Sequence, residues 1–167
     1  MAWDPTIQVF DERPIKNNLI AYFTAQQADA LLWANEGTAL PVIKKFHRSP
    51  RLVTVFPALT FLQSEHKELD NEGDTLDVDY ALLLELAIVN GNQDTLVEQS
   101  TRYSMAIESM LANIPATTFF ADSIIQAQKF IFAGLHVQYD IQGKYKNQFI
   151  DVLQVRVGWQ ITASIFA

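Results

Sequence analysis

The sequence contains no cysteine, and this absence excludes disulfide bonds, thiol catalysis and thiolate metal sites together. Glycine is also scarce, because only six glycines are scattered over 167 residues, too few for a loop that cradles phosphate. No stretch approaches the roughly 18 consecutive apolar residues of a membrane-spanning helix. The segment from Met1 to Pro5 lacks the basic and apolar regions of a signal peptide. These absences predict a soluble protein that is made in the cytoplasm and carries out no nucleotide chemistry.

Positive charge is in short supply as well. Twelve Lys and Arg residues face 19 Asp and Glu residues, which gives a formal net charge of −7. Surfaces that hold nucleic acid need clustered cations to displace counterions, so this charge argues against DNA binding. A hydrophobic fraction of 49% and a charged fraction of 19% lie in the range of globular proteins. At this length we expect residues 1–167 to form a single domain with its own core.

Two segments have the apolar spacing of helices. Residues 16–34 combine strong helix formers with apolar side chains at helical intervals, and Pro14 and Gly37 suit a start and a stop. In residues 96–114 apolar side chains recur every three or four positions, and Asp94 is well placed as the N-cap. The sequence therefore predicts two helices, of which the second is amphipathic and ends before a proline.

Four segments have the composition or the alternation of strands, and the second carries the strongest signal. They cover residues 52–62, 76–88, 131–141 and 149–165. Pro57 inside the first implies an edge position or a bulge. The other three alternate with period two, with the apolar side chains at the even positions of 76–88 and at most odd positions of 131–141, beginning with Ile131, and of 149–165. We expect these apolar rows to face the core. Gly143 and Lys144 mark the predicted turn between the last two. Residues 39–50 contain two prolines and are predicted to be a connection.

The element order is helix, strand, strand, helix, strand, strand, which predicts an α+β domain. We expect an antiparallel sheet with both helices packed on one face, and with its other face exposed or covered by another subunit. Residues 1–15 are predicted to form an N-terminal arm, and residues 63–75 an acidic hairpin loop. The acidic side chains of this loop are Glu65, Glu68, Asp70, Glu72 and Asp74.

No spacing of chemistry-bearing residues matches a catalytic or metal-binding motif. His47, His66 and His136 lie in a loop, the acidic loop and a strand, without the helical pairing that holds a metal ion. Glu65 and Glu68 could help His66 to bind a divalent ion, but we favour an ordinary exposed loop histidine. We therefore predict no metal site, no cofactor and no catalytic residue.

Paired carboxylates leave one enzymatic alternative open. Asp77 with Asp79, and Asp70 with Glu72, would each share a face of an extended segment. General acid–base catalysis needs one such carboxyl to be buried so that its pKa rises, and ordinary solvated charge is the interpretation we favour here. A carboxylate site around Asp77, Asp79 and Glu85 is the alternative to our prediction that the protein is not an enzyme.

Five side chains are candidates for contacts with other proteins. They are Trp3, Lys44, Lys45, Arg48 and Arg51. Trp3 has little around it in sequence to bury it, and tryptophan often anchors an interface; the alternative is that its segment folds back over its own domain. The four cations, in an acidic chain, favour an acidic protein neighbour, while Phe46 among them could stack on a base if the partner were nucleic acid.

The central third of the chain resembles a family of virion proteins. It reads as a strand over residues 80–89, a polar turn over 90–94, and a helix that contains the Y-x-x-A-I sequence from Tyr103 to Ile107. This order is similar to the middle of tail terminator and neck, or head–tail joining, proteins of tailed bacteriophages. The last strand, which ends in Thr162-Ala-Ser, is similar too, and the resemblance covers residues 16–165 in order and length.

The resemblance implies a structural role in a phage tail or neck. Tail terminators form a ring, usually a hexamer, that caps the tail tube, halts its polymerisation and meets the head-side connector. The implied partners are therefore other copies of this chain, the tail tube protein and the connector, with DNA passing through the lumen without specific binding. The protein would assemble in the host cytoplasm and reside in the virion. The acidic loop would face the lumen or the tube, and Lys44–Arg51 would contact an acidic neighbouring subunit.

Two further alternatives remain open. One is a head–tail joining or tail-completion protein on the head side of the neck, which the sequence separates poorly from a terminator. The other is a small-ligand or peptide-binding α+β module, for which a concavity with convergent polar groups is expected.

Overall fold

The computed structural model describes residues 10–69 and 75–164, which form one α+β domain. Its elements are α1 (Ile15–Ala34), β1 (Lys45–His47), β2 (Ala58–Glu68), β3 (Thr75–Asn90), α2 (Gln93–Asn113), α3 (Ala116–Phe119), β4 (Gln126–Tyr145) and β5 (Gln148–Ser164). All strands join one sheet in the order β1-β2-β3-β5-β4. The predicted class is confirmed, with helices packed on the sheet. Within the described residues no helix is long and apolar enough to cross a membrane.

The sheet is mixed, which corrects the expectation of a purely antiparallel one. β1 pairs in parallel with β2, so that Lys45 lies beside Ala58 and His47 beside Thr60, while the other three pairings are antiparallel. β1 and α3 were not predicted, because each is too short to show a period in the sequence. The segment expected to be a connection thus supplies an edge strand.

β2 begins later and ends later than predicted. Residues 52–57 lie before the strand, and a register shift after Phe61 lets the strand continue through polar residues to pair Glu68 with Val78. The backbone ladder with β3 holds this polar end in the strand, since ladder bonds do not depend on side-chain polarity. The predicted loop over 63–75 is accordingly wrong for residues 63–68, while residues 70–74 lie outside the described part of the chain.

The core lies between the helices and one face of the sheet. As predicted, the even positions of β3 from Leu76 to Ile88 and the odd positions of β5 from Leu153 to Ala163 are buried. α1 adds side chains at every fourth position and α2 adds its apolar stripe. Trp159 is the largest of these side chains, and its ring lies 4.9 Å from that of Phe119. A period of two thus places one row of each central strand beneath the helices.

β4 departs from the predicted alternation. A register shift between Phe132 and Gly134 changes the face, so that Phe130 and Phe132 pack on the core before it and Leu135 after it. Ile131, expected in the core, is 42% exposed. A β-bulge has this effect because one extra residue reverses the side-chain sides of everything that follows it. The turn after β4 also falls later than predicted, at residues 146–147.

Candidate functional site

The face of the sheet turned away from the helices carries the polar side chains of the central strands. Paired positions on β3 and β5 are Asp77 with Thr162, Asp79 with Gln160, Ala81 with Gly158, Leu83 with Arg156, and Glu85 with Gln154. We call this surface the open face. Both signs of charge alternate on it with amides and small residues, as expected for the solvent side of a half-buried sheet.

The carboxylates of the enzymatic alternative lie on this open face. Asp77 Oδ1 accepts a hydrogen bond of 2.6 Å from the hydroxyl of Thr162, and Asp79 is exposed beside Lys67. Glu85 is half-buried between strands. None of the three side chains is buried. Among the described residues, no group of three or more His, Asp or Glu side chains is placed to hold a metal ion.

A shallow depression crosses the middle of the open face. Ala81, Ala133 and Gly158 form its floor, and Asp79 and Gln160 stand at its rim, around a volume of about 560 Å³. A Cβ atom at Gly158 would lie 3.5 Å from the carbonyl oxygen of Tyr80, an ordinary contact. The depression therefore follows from a row of small side chains rather than from a glycine that the backbone requires.

Four of the interface candidates come together at the β1 edge of the sheet. Gln27, buried on α1, accepts a 2.7 Å hydrogen bond from Ile43 N, and Lys44 N donates to Pro57 O at 2.9 Å. These contacts hold the chain where β1 begins, so Lys44 and Lys45 are placed at the outer edge of the sheet.

Arg48, the third of these cations, is held by α1. Arg48 Nε donates a 2.7 Å hydrogen bond to Asn17 Oδ1, and Lys16 Nζ donates to Arg48 O at 3.3 Å. Lys16 thus joins the cluster, although it lies far from the cluster in sequence and was not predicted. Burial lowers the pKa of His47, and the nearby charges of Arg51 and Lys45 lower it further. The same neighbours show that this edge is electropositive.

No carboxylate neutralises this edge within the described residues. The ion pairs among the described residues join Arg13 to Asp11, His66 to Glu12 and Glu68, and Arg102 to Glu36 and Glu98. Lys44, Lys45, Arg48 and Arg51 take part in none of them. Like charges held close together are stabilised when a negative partner arrives, so the edge is suited to an acidic surface.

The predicted acidic loop divides in the structure. Glu65 projects on the open face beside Ala81, whereas Glu68 Oε1 lies on the helix side and accepts a 3.3 Å hydrogen bond from Phe10 N. The two described carboxylates therefore do not form one surface. Asp70, Glu72 and Asp74 lie outside the described residues, and so does Trp3.

The described end of the N-terminal arm packs on its own domain. Phe10 is buried, with its ring 5.5 Å from that of Tyr80 and 5.4 Å from that of His66. Glu12 Oε2 lies 3.1 Å from His66 Nδ1, so this histidine belongs to β2 and contacts the arm rather than lying in a loop. A hydrogen bond from Arg13 lowers the pKa of Asp11.

Comparisons with known proteins give a weak similarity to a solved structure. No family model matches the sequence, and no curated protein matches it. Among solved structures, a chain from the virion of native gene transfer agent (GTA) particle is similar, with a TM-score of 0.46 and 12% sequence identity. The match covers 91% of this chain and 98% of that chain. At this TM-score and identity the similarity by itself assigns no role.

Proposed function

We propose that this chain is a structural virion protein of a tailed bacteriophage, a tail terminator whose ring caps the tail tube and joins it to the head-side connector. The class of virion protein is suggested by the sequence resemblance over a predicted strand, turn and helix. In the structure these segments are β3, the turn after it and α2. The observation that supports self-assembly is the cationic edge formed by Lys44, Lys45, Arg48 and Arg51. These charges lack carboxylate partners among the described residues, in a chain of net charge −7.

A ring requires each subunit to carry two different surfaces that match each other. In the proposed ring the cationic edge of one copy meets carboxylates of the next, and the excess negative charge of the assembly faces the lumen. Carboxylates repel phosphate, so DNA moves through the lumen without being held. The proposed role uses no catalytic residue, metal or cofactor, and places the protein in the tail or neck of the virion.

The first test is the state of the purified protein, by mass determination and negative-stain imaging, alone and mixed with tail-tube preparations. We expect closed rings whose mass is a multiple of 18.9 kDa, with a hexamer as the expected form, or caps at one end of the tubes. A monomer that ignores the tubes contradicts the proposal. Binding to connector preparations instead of tubes supports the head-side joining alternative.

The second test reverses the charge of the cationic edge. The triple variant Lys44→Glu, Lys45→Glu and Arg48→Glu should remain folded, since all three side chains are exposed, but should lose assembly. A control matched for charge is Lys67→Glu, Lys129→Glu and Arg156→Glu, three exposed cations of the open face. Assembly that survives the first triple variant as well as it survives the control removes the cationic edge from the proposed contact.

A further inference from the structure

Asn90 is the asparagine of this chain that precedes a glycine. The other asparagines precede Asn, Leu, Glu, Gln or Ile, all of which are larger. The backbone nitrogen of the residue after an asparagine can attack the side-chain amide carbon, and glycine hinders this attack least because it has no side chain. Asn90 is therefore the position at which the sequence most favours the loss of a side-chain amide.

The structure places this pair in an open turn. Asn90 is the last residue of β3, where it pairs with Phe149, and Gly91 lies between β3 and α2. Gly91 is exposed, and a Cβ atom added there would meet no heavy atom of the described chain within 4 Å. Around Gly91 there is thus room for a five-membered ring closed between Asn90 Cγ and Gly91 N, and solvent has access to it.

Two hydrogen bonds orient the side chain of Asn90 over this turn. Its Oδ1 accepts a bond of 2.9 Å from Asn92 N, and its Nδ2 donates a bond of 3.2 Å to Gln99 Oε1. The first bond closes an Asx turn, which folds the side chain back along the Gly91 peptide. A donor on Oδ1 also stabilises the negative charge that grows on this oxygen when Cγ is attacked. The turn therefore holds the reacting groups close together and activates one of them.

We propose that Asn90 is a site of spontaneous deamidation. Gly91 N gives up its proton to a base in solution and forms a bond to Asn90 Cγ, the Cγ–Nδ2 bond breaks, and the nitrogen leaves as ammonia. Water then opens the cyclic imide at one of its two carbonyl carbons, which leaves aspartate or isoaspartate at position 90. Overall one water is consumed and one ammonia is released, with no change of oxidation state.

The product places a negative charge next to the cationic edge. Asn90 and Lys44 line one cleft of about 190 Å³, together with Gln99 and Tyr103. A carboxylate at position 90 lowers the positive potential around Lys44, as other charge-changing modifications do at their sites. This consequence rests on the proposed function, in which Lys44 meets an acidic neighbour, whereas the deamidation itself does not. In the proposed ring the change weakens the contact between copies as the protein ages.

Incubation of the folded chain between pH 7 and 9, followed by peptide mass spectrometry, tests the site. The peptide that contains Asn90 should gain the mass difference between an amide and an acid, as a mixture of aspartate and isoaspartate. The conversion should be at least about tenfold faster than at Asn35 or Asn113, which precede larger residues. It should also accelerate with pH, because the attacking nitrogen must lose its proton. Equal rates at the three asparagines would overturn the proposal.

Two controls separate the part played by glycine from the part played by the turn. Gly91→Ala, which the open space around Gly91 accommodates, should slow the conversion at Asn90 by about tenfold or more, since a side chain now obstructs the attack. The rate in the folded chain should lie within about tenfold of the rate in urea, because the turn keeps the reacting groups together. A folded chain that reacts more slowly than this would show that the fold protects Asn90, and the proposal would be wrong.

Asn90→Asp carries the charge of the product and tests its effect on assembly. The protein concentration needed for half-maximal assembly should rise by about three- to tenfold. The control is Gln26→Glu, which converts an exposed amide of α1 to an acid and should leave this concentration unchanged. Equal assembly of the two variants would overturn the link between position 90 and the cationic edge. If the unchanged chain forms no rings or tube caps, the ring proposal fails, while the mass measurement still decides the deamidation.

Discussion

The two faces of the sheet share the same strands and the same backbone hydrogen bonds, but they differ in what covers them. Beneath the helices, Trp159 is 1% exposed and contacts a cluster of aromatic rings. The next residue, Gln160, projects from the open face into solvent. Among the described residues, the large buried side chains are therefore concentrated on the covered face, whereas the open face carries polar side chains that meet solvent.

The covered face is not purely apolar. The hydroxyl of Ser100 on α2 hydrogen-bonds to Asp151 Oδ2 and lies 2.9 Å from Leu96 O, and Asp151 is buried. Among the described residues, Asp151 Oδ1 and Trp159 Nε1 have no hydrogen-bond partner. A polar group that is buried without a partner costs free energy, whereas the same group in solvent bonds to water. Polar side chains therefore matter more to stability on the covered face than on the open face.

The largest difference between the faces is expected at two adjacent residues. Trp159→Ala should lower the free energy of unfolding by about 3–5 kcal/mol, because it leaves a cavity among buried rings. Gln160→Ala should change it by less than about 0.5 kcal/mol, as is usual for a surface side chain. Urea unfolding of the two variants measures both values. Trp159→Phe should cost less than Trp159→Ala, since it keeps a ring and removes the unpaired indole N–H.

Similar losses in the Trp159→Ala and Gln160→Ala variants would contradict the assignment of stability to the covered face. Changes in the slope of the urea transition are read alongside the midpoint, because a changed slope signals an altered unfolded or native state rather than a lost contact.

The second effect concerns the polar contact on the covered face. Ser100→Ala should destabilise the fold by about 1–3 kcal/mol. It removes the hydrogen bond that the Ser100 hydroxyl donates to Asp151 Oδ2, and both carboxyl oxygens of Asp151 are then unpaired. Thr101→Ala, at the next position and exposed, is the control and should stay within about 0.5 kcal/mol. Combining Ser100→Ala with Asp151→Leu should recover part of the loss, because removing both partners of a buried hydrogen bond costs less than removing one.

Burial on the covered face explains why so much of the fold could be predicted from the sequence. One row of β3 and one of β5 must be apolar to meet the helices, so the alternation appears in the sequence. β4 shows the limit, because Phe130, Ile131 and Phe132 are all apolar and the face on which each lies is decided by the bulge after them. At an edge strand with apolar residues on both faces, alternation does not specify the register.

The start of α2 and the cationic edge show a second limit. Asn90, Asn92 and Asp94 are all good N-caps, and Asp94 was predicted, but Asn92 Oδ1 is the group that accepts the 3.0 Å hydrogen bond from Thr95 N. Asp94 lies instead in the first turn, where its charge favours the helix dipole. Lys44–Arg51 could be found because these cations are close in sequence, whereas Lys16 reaches them only through the packing of α1.

The third effect is a loss of stability at alkaline pH that comes from the covered face. Burial raises the pKa of the phenols of Tyr80 and Tyr103 above the ordinary value. A raised pKa means that stability is complete below about pH 10 and falls as the pH rises, since only the unfolded chain releases these protons. At pH 11 the expected loss is about 1 kcal/mol for each tyrosine. Urea unfolding from pH 8 to 11 measures this dependence.

Tyr103→Phe separates the alkaline effect from an ordinary hydrogen-bond loss. The variant loses the bond from the Tyr103 hydroxyl to Pro41 O, which lowers stability equally at every pH. Its stability should nevertheless fall less steeply above pH 10 than that of the unchanged chain. An identical alkaline slope in the two proteins would show that the Tyr103 phenol does not contribute to it.

The smallest expected effect is that of a hydroxyl–carboxylate pair on the open face, which corresponds to the Ser100–Asp151 pair on the covered face. On the open face the Thr162 hydroxyl donates to Asp77 at 2.6 Å, and both side chains are half-buried. Thr162→Val should cost about 0.5–1 kcal/mol, because water can replace the lost donor and valine suits a strand. Ser100→Ala breaks the equivalent hydroxyl–carboxylate contact where water has no access, so it should cost more. If urea unfolding gives equal losses for the two variants, solvent access does not set the difference between the faces.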